Sequence, residues 1–371
     1  MTANLRGLDH FIFEEYRAPK AGLGIYRLLF STYVLTYLPK HLWVSTFPNS
    51  FFDPPIGLTM FFAGFPGAYF FPLVNGLAIL AAVCMLFGYR TRVASISFAL
   101  LLFSCDAWGY SLGKIVHRDI TLVFVPILMQ FAGWGDTYSL DSRRRGGRFE
   151  EEERSADWPL ALLALIVGMA MMTAALPKVT SGWLDPHAHA VRAHILSNVF
   201  VSGHANWFAE QMLRIRSGVF WKLCDYGTVS IEASFLLTVV RRRALRIVCA
   251  VACLFHLAIT LTMQIAFVGN ILAYAAVADW SVVESRVGGV LRMWNRILNK
   301  MSAPVIVGAG AALAFAYLRF GNPVQLPQQW DPLGTSICLL SALVAGGFLV
   351  GSVRDFASNR VKRGISFFRY S

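Results

Sequence analysis

In "AALPKVTSGWLD" (174–185) a long apolar run ends in a lysine, Lys178. Ionisable groups at or inside apolar runs are costly, so each is a candidate for handling protons or ions, and each needs a partner. Three more such groups stand out: Arg27 in "GLGIYRLLF", His117 in "GKIVHRDITLVF" and Glu232 in "DYGTVSIEASFLL". Each has a plain structural reading beside the chemical one. Lys178 can snorkel to an interface, His117 can open a helix beside Asp119, and Glu232 can pair with Arg27, which lies at a similar depth.

A fifth candidate is a stripe. In "CAVACLFHLAITLTMQ" the residues Cys249, Cys253, His256, Thr260 and Gln264 recur at spacings of 4, 3, 4 and 4, which is one face of a helix. Such a face belongs inside a bundle, as packing, as a cavity wall or as a metal site. One helix rarely supplies three ligands, so no metal is predicted. His187, His189 and His194 in "LDPHAHAVRAH" match no strong ligand spacing and read as an exposed interfacial loop.

The elements that must position these residues follow from composition. The chain has 371 residues, 56% hydrophobic and only 15% charged, with a mean hydropathy of +0.54. A soluble domain sits nearer half apolar and a quarter charged. The expected fold is an all-α, multi-pass membrane bundle of about ten spans. These lie at 22–38, 73–89, 93–110, 119–134, 158–177, 218–239, 245–263, 266–282, 303–319 and 334–352. The first run lacks a cleavage site and reads as a retained span.

A net charge of +12 would suggest nucleic acid in a soluble protein. Here topology accounts for it, and no nucleic-acid partner is expected. One side receives Arg143, Arg144, Arg145, Arg148 and Arg154, then Arg241, Arg242, Arg243 and Arg246, then a basic tail. The other receives Lys40, Lys114, Arg118, Lys178, Arg192, Arg214, Arg216 and Lys222. Both termini are therefore expected in the cytoplasm of a cell whose plasma membrane holds the chain. The six cysteines form no evident exterior pair, so a disulfide scaffold is not expected.

Three segments are expected: a cytoplasmic stretch 1–21, a membrane domain 22–285, and a basic linker with two further spans and a tail, 286–371. The loop 39–72 contains "FPNSFFDPPIGLTMFFAGFPGAYFFP", too broken for a span and too apolar for a free loop. A re-entrant or interfacial element fits it. The loop 178–217 is expected to hold a short amphipathic helix on the membrane face. Residues 143–155 form a charged linker.

Four pieces together resemble the horizontally transferred transmembrane domain family, whose members include the vitamin K-dependent γ-glutamyl carboxylases. They are "GLGIYRLLF" (22–30), the block 88–141 ending in "YSLD", "AALPKVTSGWLD", and "CLFHLAITLTMQIAFVGNILAYAAVADW" (253–280). The resemblance implies Lys178 as catalytic base, His117 as an assisting histidine and His256 as a third. It implies a reduced quinone of the vitamin K kind as cofactor, and a secreted peptide or protein as substrate. In that chemistry the quinol reacts with O₂ and becomes an epoxide, while a glutamyl side chain captures CO₂. A lysine base must be neutral to accept a proton, which an apolar pocket favours. Where the carboxylases carry a large exterior domain, residues 286–371 supply a linker, two spans and a tail. Bacterial relatives that mature a secreted toxin suggest a bacterial inner membrane. They also suggest an alternative, a non-catalytic maturation or export factor for a secreted peptide. A small-molecule transporter lined by Glu232, Thr260 and Gln264 is a further alternative. Oligomeric state is not legible.

Overall fold

The computed structural model describes residues 2–36, 42–113, 117–146, 158–320 and 331–367, without the side chains of 2–6, 42–43, 117–120, 320 and 357–367. Among the described residues the chain is helical, with one isolated bridge between Asp53 and Leu112 and no strand. The helices are α1 (Thr2–Phe13), α2 (Lys20–Thr36), α3 (Phe70–Phe87), α4 (Thr91–Tyr110), α5 (His117–Met129), α6 (Leu140–Arg144), α7 (Trp158–Thr180) and α8 (Ala190–Phe200). They continue as α9 (Trp207–Leu213), α10 (Gly218–Thr238), α11 (Arg242–Met263), α12 (Val268–Ala275), α13 (Ser281–Lys300), α14 (Ala303–Phe320) and α15 (Pro332–Phe367).

Two compact units result, each made of separate stretches of chain. The first comprises Met1–Ile166 and Leu272–Gln325. In it α3 packs against α2, α4 and α14, and α13 packs against α2. Its centre is aromatic: Trp134 lies 5.7 Å from Phe30 and 6.1 Å from Tyr26, centroid to centroid. Tyr26 donates to the Leu272 carbonyl at 2.8 Å, which satisfies its buried hydroxyl.

Arg27, fully buried, organises the turn after α5. Its Nη1 donates to the carbonyls of Trp134 and Thr137, at 3.1 and 3.2 Å, and its Nη2 to that of Tyr138, at 2.7 Å. Gly24 allows the turn to come close, since a Cβ there would sit 2.2 Å from Thr137 Oγ1. The same turn ends in Asp141, whose carboxylate accepts from the backbone nitrogens of Arg90 (2.9 Å) and Thr91 (2.6 Å). An acid at the start of α4 meets its unpaired N–H groups and its positive dipole end.

The loop before α3 consists of single-turn 3-10 helices, Leu42–Thr46, Asn49–Phe51 and Leu58–Phe61. Asn49 accepts from the Phe65 nitrogen at 3.0 Å, and Phe52 and Phe65 pack on a core of Val44, Phe71, Val74, Cys105 and Trp108. Its other side is bare: Phe51, Ile56, Leu58, Met60, Phe61 and Phe62 are all exposed.

The second unit comprises Val167–Ile271 and Leu326–Ser371. Here α11 packs against α15, α10, α8 and α9. The segment 178–217 holds two short helices rather than the one expected, joined through Ile195, Ala209 and Trp221. Asn198 and Asn206 tie them to the end of α11 by donating to the carbonyls of Met263 (3.0 Å) and Thr262 (3.2 Å).

Among the described residues five helices are long and apolar enough to cross a membrane: α3, α4, α7, α11 and the Pro332–Phe356 part of α15. A sixth crossing arises if α13 and α14, bent by 102° at their junction, count as one. The other expected spans take different forms. α2 has 17 residues and α5 has 13. α10 is long enough at 21 residues but carries Lys222, Asp225 and Glu232. The stretch 266–282 holds only the eight-residue α12 before it breaks into turns. Eight helical residues rise about 12 Å, well short of the ~30 Å of hydrocarbon.

Candidate acid–base site

α7 delivers Lys178 on its last turn, one residue after Pro177. Nζ donates to the Ala174 carbonyl at 3.0 Å and lies 2.8 Å from each carboxylate oxygen of Glu232 on α10. The two side chains are 22% and 9% exposed. Glu232 therefore pairs with Lys178 and not with Arg27, whose described partners are the three carbonyls of its own unit. Similar depth in the sequence could not tell which helices adjoin.

Around this pair the elements are tied together by a second one. The Trp183 ring centroid is 5.5 Å from Lys178 Nζ, and the ring is tilted on His194 at 5.4 Å. The Trp183 carbonyl accepts from Lys222 Nζ at 2.9 Å, and Lys222 also pairs with Asp225 at 2.9 Å. Asp225, with no exposed surface, accepts from the backbone nitrogens of Ala190 (3.2 Å) and Val191 (2.8 Å) at the start of α8.

Lys222 and Asp225 were missed in the sequence. Their signal was present, because positions 222, 225, 228 and 232 share one helix face, and that face is the buried one. Asp106, buried in α4, is another acid within an apolar run that the sequence reading passed over. Beside the second pair a cavity of about 470 Å³ is lined by Pro186, His187, His189, Lys222, Leu223 and Tyr226, among others. Lys178 does not line it.

The α11 stripe is placed elsewhere. His256 is 2% exposed and stacks on Phe267 at 4.7 Å. Thr260 Oγ1 lies 2.7 Å from the His256 carbonyl and 3.4 Å from Cys338 Sγ of α15. Gln264 ends α11 in the left-handed region (φ 57°) with its nitrogen on the Thr260 carbonyl. Cys249 and Cys253 are buried on this face, and α11 packs on α15. Among the described residues no group of three or more His, Cys, Asp or Glu could hold a metal. His117 opens α5, but its side chain lies outside the described residues.

Compared with protein-family models, curated proteins and solved structures, the chain matches none. One lysine nitrogen faces two carboxylate oxygens at hydrogen-bond distance, so a proton can pass between Lys178 and Glu232 without either group moving.

Proposed function

We propose that this membrane protein is a quinol-linked, carboxylase-like enzyme in which Lys178 is the base and Glu232 holds and returns its proton. The carrying observation is the Lys178–Glu232 contact at 2.8 Å, at the end of an apolar helix. Glu232 orients Nζ and supplies a second seat for a proton that Nζ takes up. The Ala174 carbonyl fixes the third direction around the nitrogen.

The surroundings suit a lipid-soluble hydroxyaromatic ring in chemistry. Trp183 supplies an aromatic face beside Nζ, and the exposed Leu176 and Val179 make this end of α7 apolar toward its surroundings. Trp183, whose ring centroid is 5.5 Å from Nζ, would face such a ring, with its hydroxyl toward Nζ. A bound reduced quinone would supply the acidic hydroxyl and the electrons for O₂. Seating the site at the end of α7 leaves it open to lipid on one side while Glu232 stays buried.

The proposed setting is a bacterial inner membrane with both termini cytoplasmic, supported by the arginine distribution. The exposed aromatic loop 49–62 rests in the exterior interface. A ten-crossing path requires 266–282 to cross partly as non-helical backbone, which protein burial would have to satisfy.

The test uses purified protein in lipid with a reduced naphthoquinone, O₂, labelled bicarbonate and a glutamyl peptide. Quinone epoxide should form with wild type and be lost in Lys178→Ala, with label in the peptide marking carboxylation. Well-folded wild type that makes no epoxide from several quinones would overturn this reading in favour of a maturation or export factor.

A further inference from the structure

We infer that the outer face of α13 is a docking surface for anionic phospholipid headgroups, laid along the membrane plane. The inference rests on the proposed sidedness only for which leaflet is bound.

α13 carries Arg286, Arg292, Arg296 and Lys300 against a single acid, Glu284. So many charges cannot lie in hydrocarbon. Yet after a two-residue break the chain enters α14, which is apolar until Arg319 and packs along α3. The two helices are bent by 102°. With α14 alongside the spanning α3, that angle turns α13 toward the plane of the membrane surface.

The inward face is fixed to protein. Leu291 and Leu298 are buried, and Trp294 stacks on Phe87 of α3 at 5.4 Å and donates to the Tyr138 carbonyl at 3.0 Å. Arg143 donates to the Leu298 carbonyl. Tyr138 Oη donates to Glu284 at 2.7 Å, so the helix's one acid is engaged by the protein.

The opposite face is exposed and carries no acid. Val282, Arg286, Val290, Met293, Arg296 and Lys300 follow one another at spacings of 3 or 4, and all six are exposed. Val282, Val290 and Met293 are each more than half exposed. Aliphatic side chains interleaved with guanidinium groups on one face suit shallow burial at the acyl boundary, with the cations on lipid phosphates. A soluble helix would keep its polar face free of such residues. The all-positive charge selects an anionic lipid over a zwitterionic one.

The experiment needs no quinone, so its failure is separate from failure of the enzyme reading. Full-length protein is purified from mixed phosphatidylglycerol and phosphatidylcholine, and retained lipids are counted by native mass spectrometry. Wild type should be enriched in phosphatidylglycerol, and high salt should reduce the enrichment. The variant R286Q/R292Q/R296Q/K300Q should lower it roughly tenfold. If that variant does not fold, R286Q/R296Q, both on the outer face, should lower it to a lesser extent. Equal retention by wild type and a folded variant would overturn the inference, as would no enrichment in wild type. A change in oligomeric mass with lipid retention unaltered would also overturn it, by assigning the face to a second copy of the chain.

Discussion

Lys178 Nζ sits 2.8 Å from both oxygens of Glu232, joining the end of α7 to the middle of α10. The pair is a tertiary contact between helices, joining two charges that are 22% and 9% exposed. Such a pair is weak evidence for stability, because desolvation offsets much of the attraction.

Breaking the pair on one side leaves a charge in poor surroundings. Glu232→Leu should therefore destabilise by about 2 kcal/mol or more, while the double variant Lys178→Met with Glu232→Leu should recover most of that loss. Thermal unfolding in one detergent measures both. A double variant as unstable as the single one would show that the pair does not account for the loss.

Catalysis should separate from stability at the same residues. Lys178→Ala should abolish epoxide formation. Glu232→Gln keeps the shape and a hydrogen bond to Nζ but cannot hold the proton, and should cut turnover by roughly 10²-fold or more. Unchanged turnover in Glu232→Gln would remove Glu232 from the proposed chemistry.

Arg27 predicts a local collapse. Arg27→Lys leaves one nitrogen for three carbonyls and should cost more than about 2 kcal/mol through unsatisfied buried groups. Hydrogen exchange at residues 134–139 should rise while α8 and α10 stay protected. Gly24→Ala should exchange in the same place, because its Cβ would displace Thr137.

Asp225 predicts loosening of α8. Asp225→Ala removes the acceptor for two helix-start nitrogens and the partner of Lys222, so amides 190 and 191 should lose exchange protection. The loss at this cap is about 1 kcal/mol or more. Asp225→Asn, which keeps an acceptor, should fall between.

The pH dependence lies at the N-terminal helix, outside the apolar spans. His10 Nδ1 is 2.8 Å from Glu14, and this hydrogen bond raises its pKa above the ordinary 6.5, with Glu15 adding to it. A raised pKa means the contact is fully formed below the ordinary value and is lost as pH rises through the folded one. An NMR titration should show Glu14→Gln lowering the midpoint. No change would mean the pair does not form in solution.

Sequence alone determined the helical membrane class, because 17 or more apolar residues in a row leave few alternatives. It also singled out Lys178, Glu232 and Arg27, since a charge beside or within such a run is conspicuous. It could not pair them, because two residues at one depth can lie on helices that never meet. Lys222 and Asp225 share the spacing of Thr228 and Glu232 and were legible on that face, but only the packing of α8 over the helix start shows what they hold.

The α11 stripe was legible as one buried face, but its use was not: Thr260 meets Cys338 of α15, a contact across 78 positions of sequence. Helix lengths were overstated at 266–282, where apolar composition continues but Gln264 and the turns after Ala275 interrupt the backbone. The basic linker became α13 only in three dimensions. Its arginines read only as a basic linker until Leu291, Trp294 and Leu298 are seen to dock on one side and leave the cations on the other. Composition fixes which residues leave water; only packing decides which of them meet.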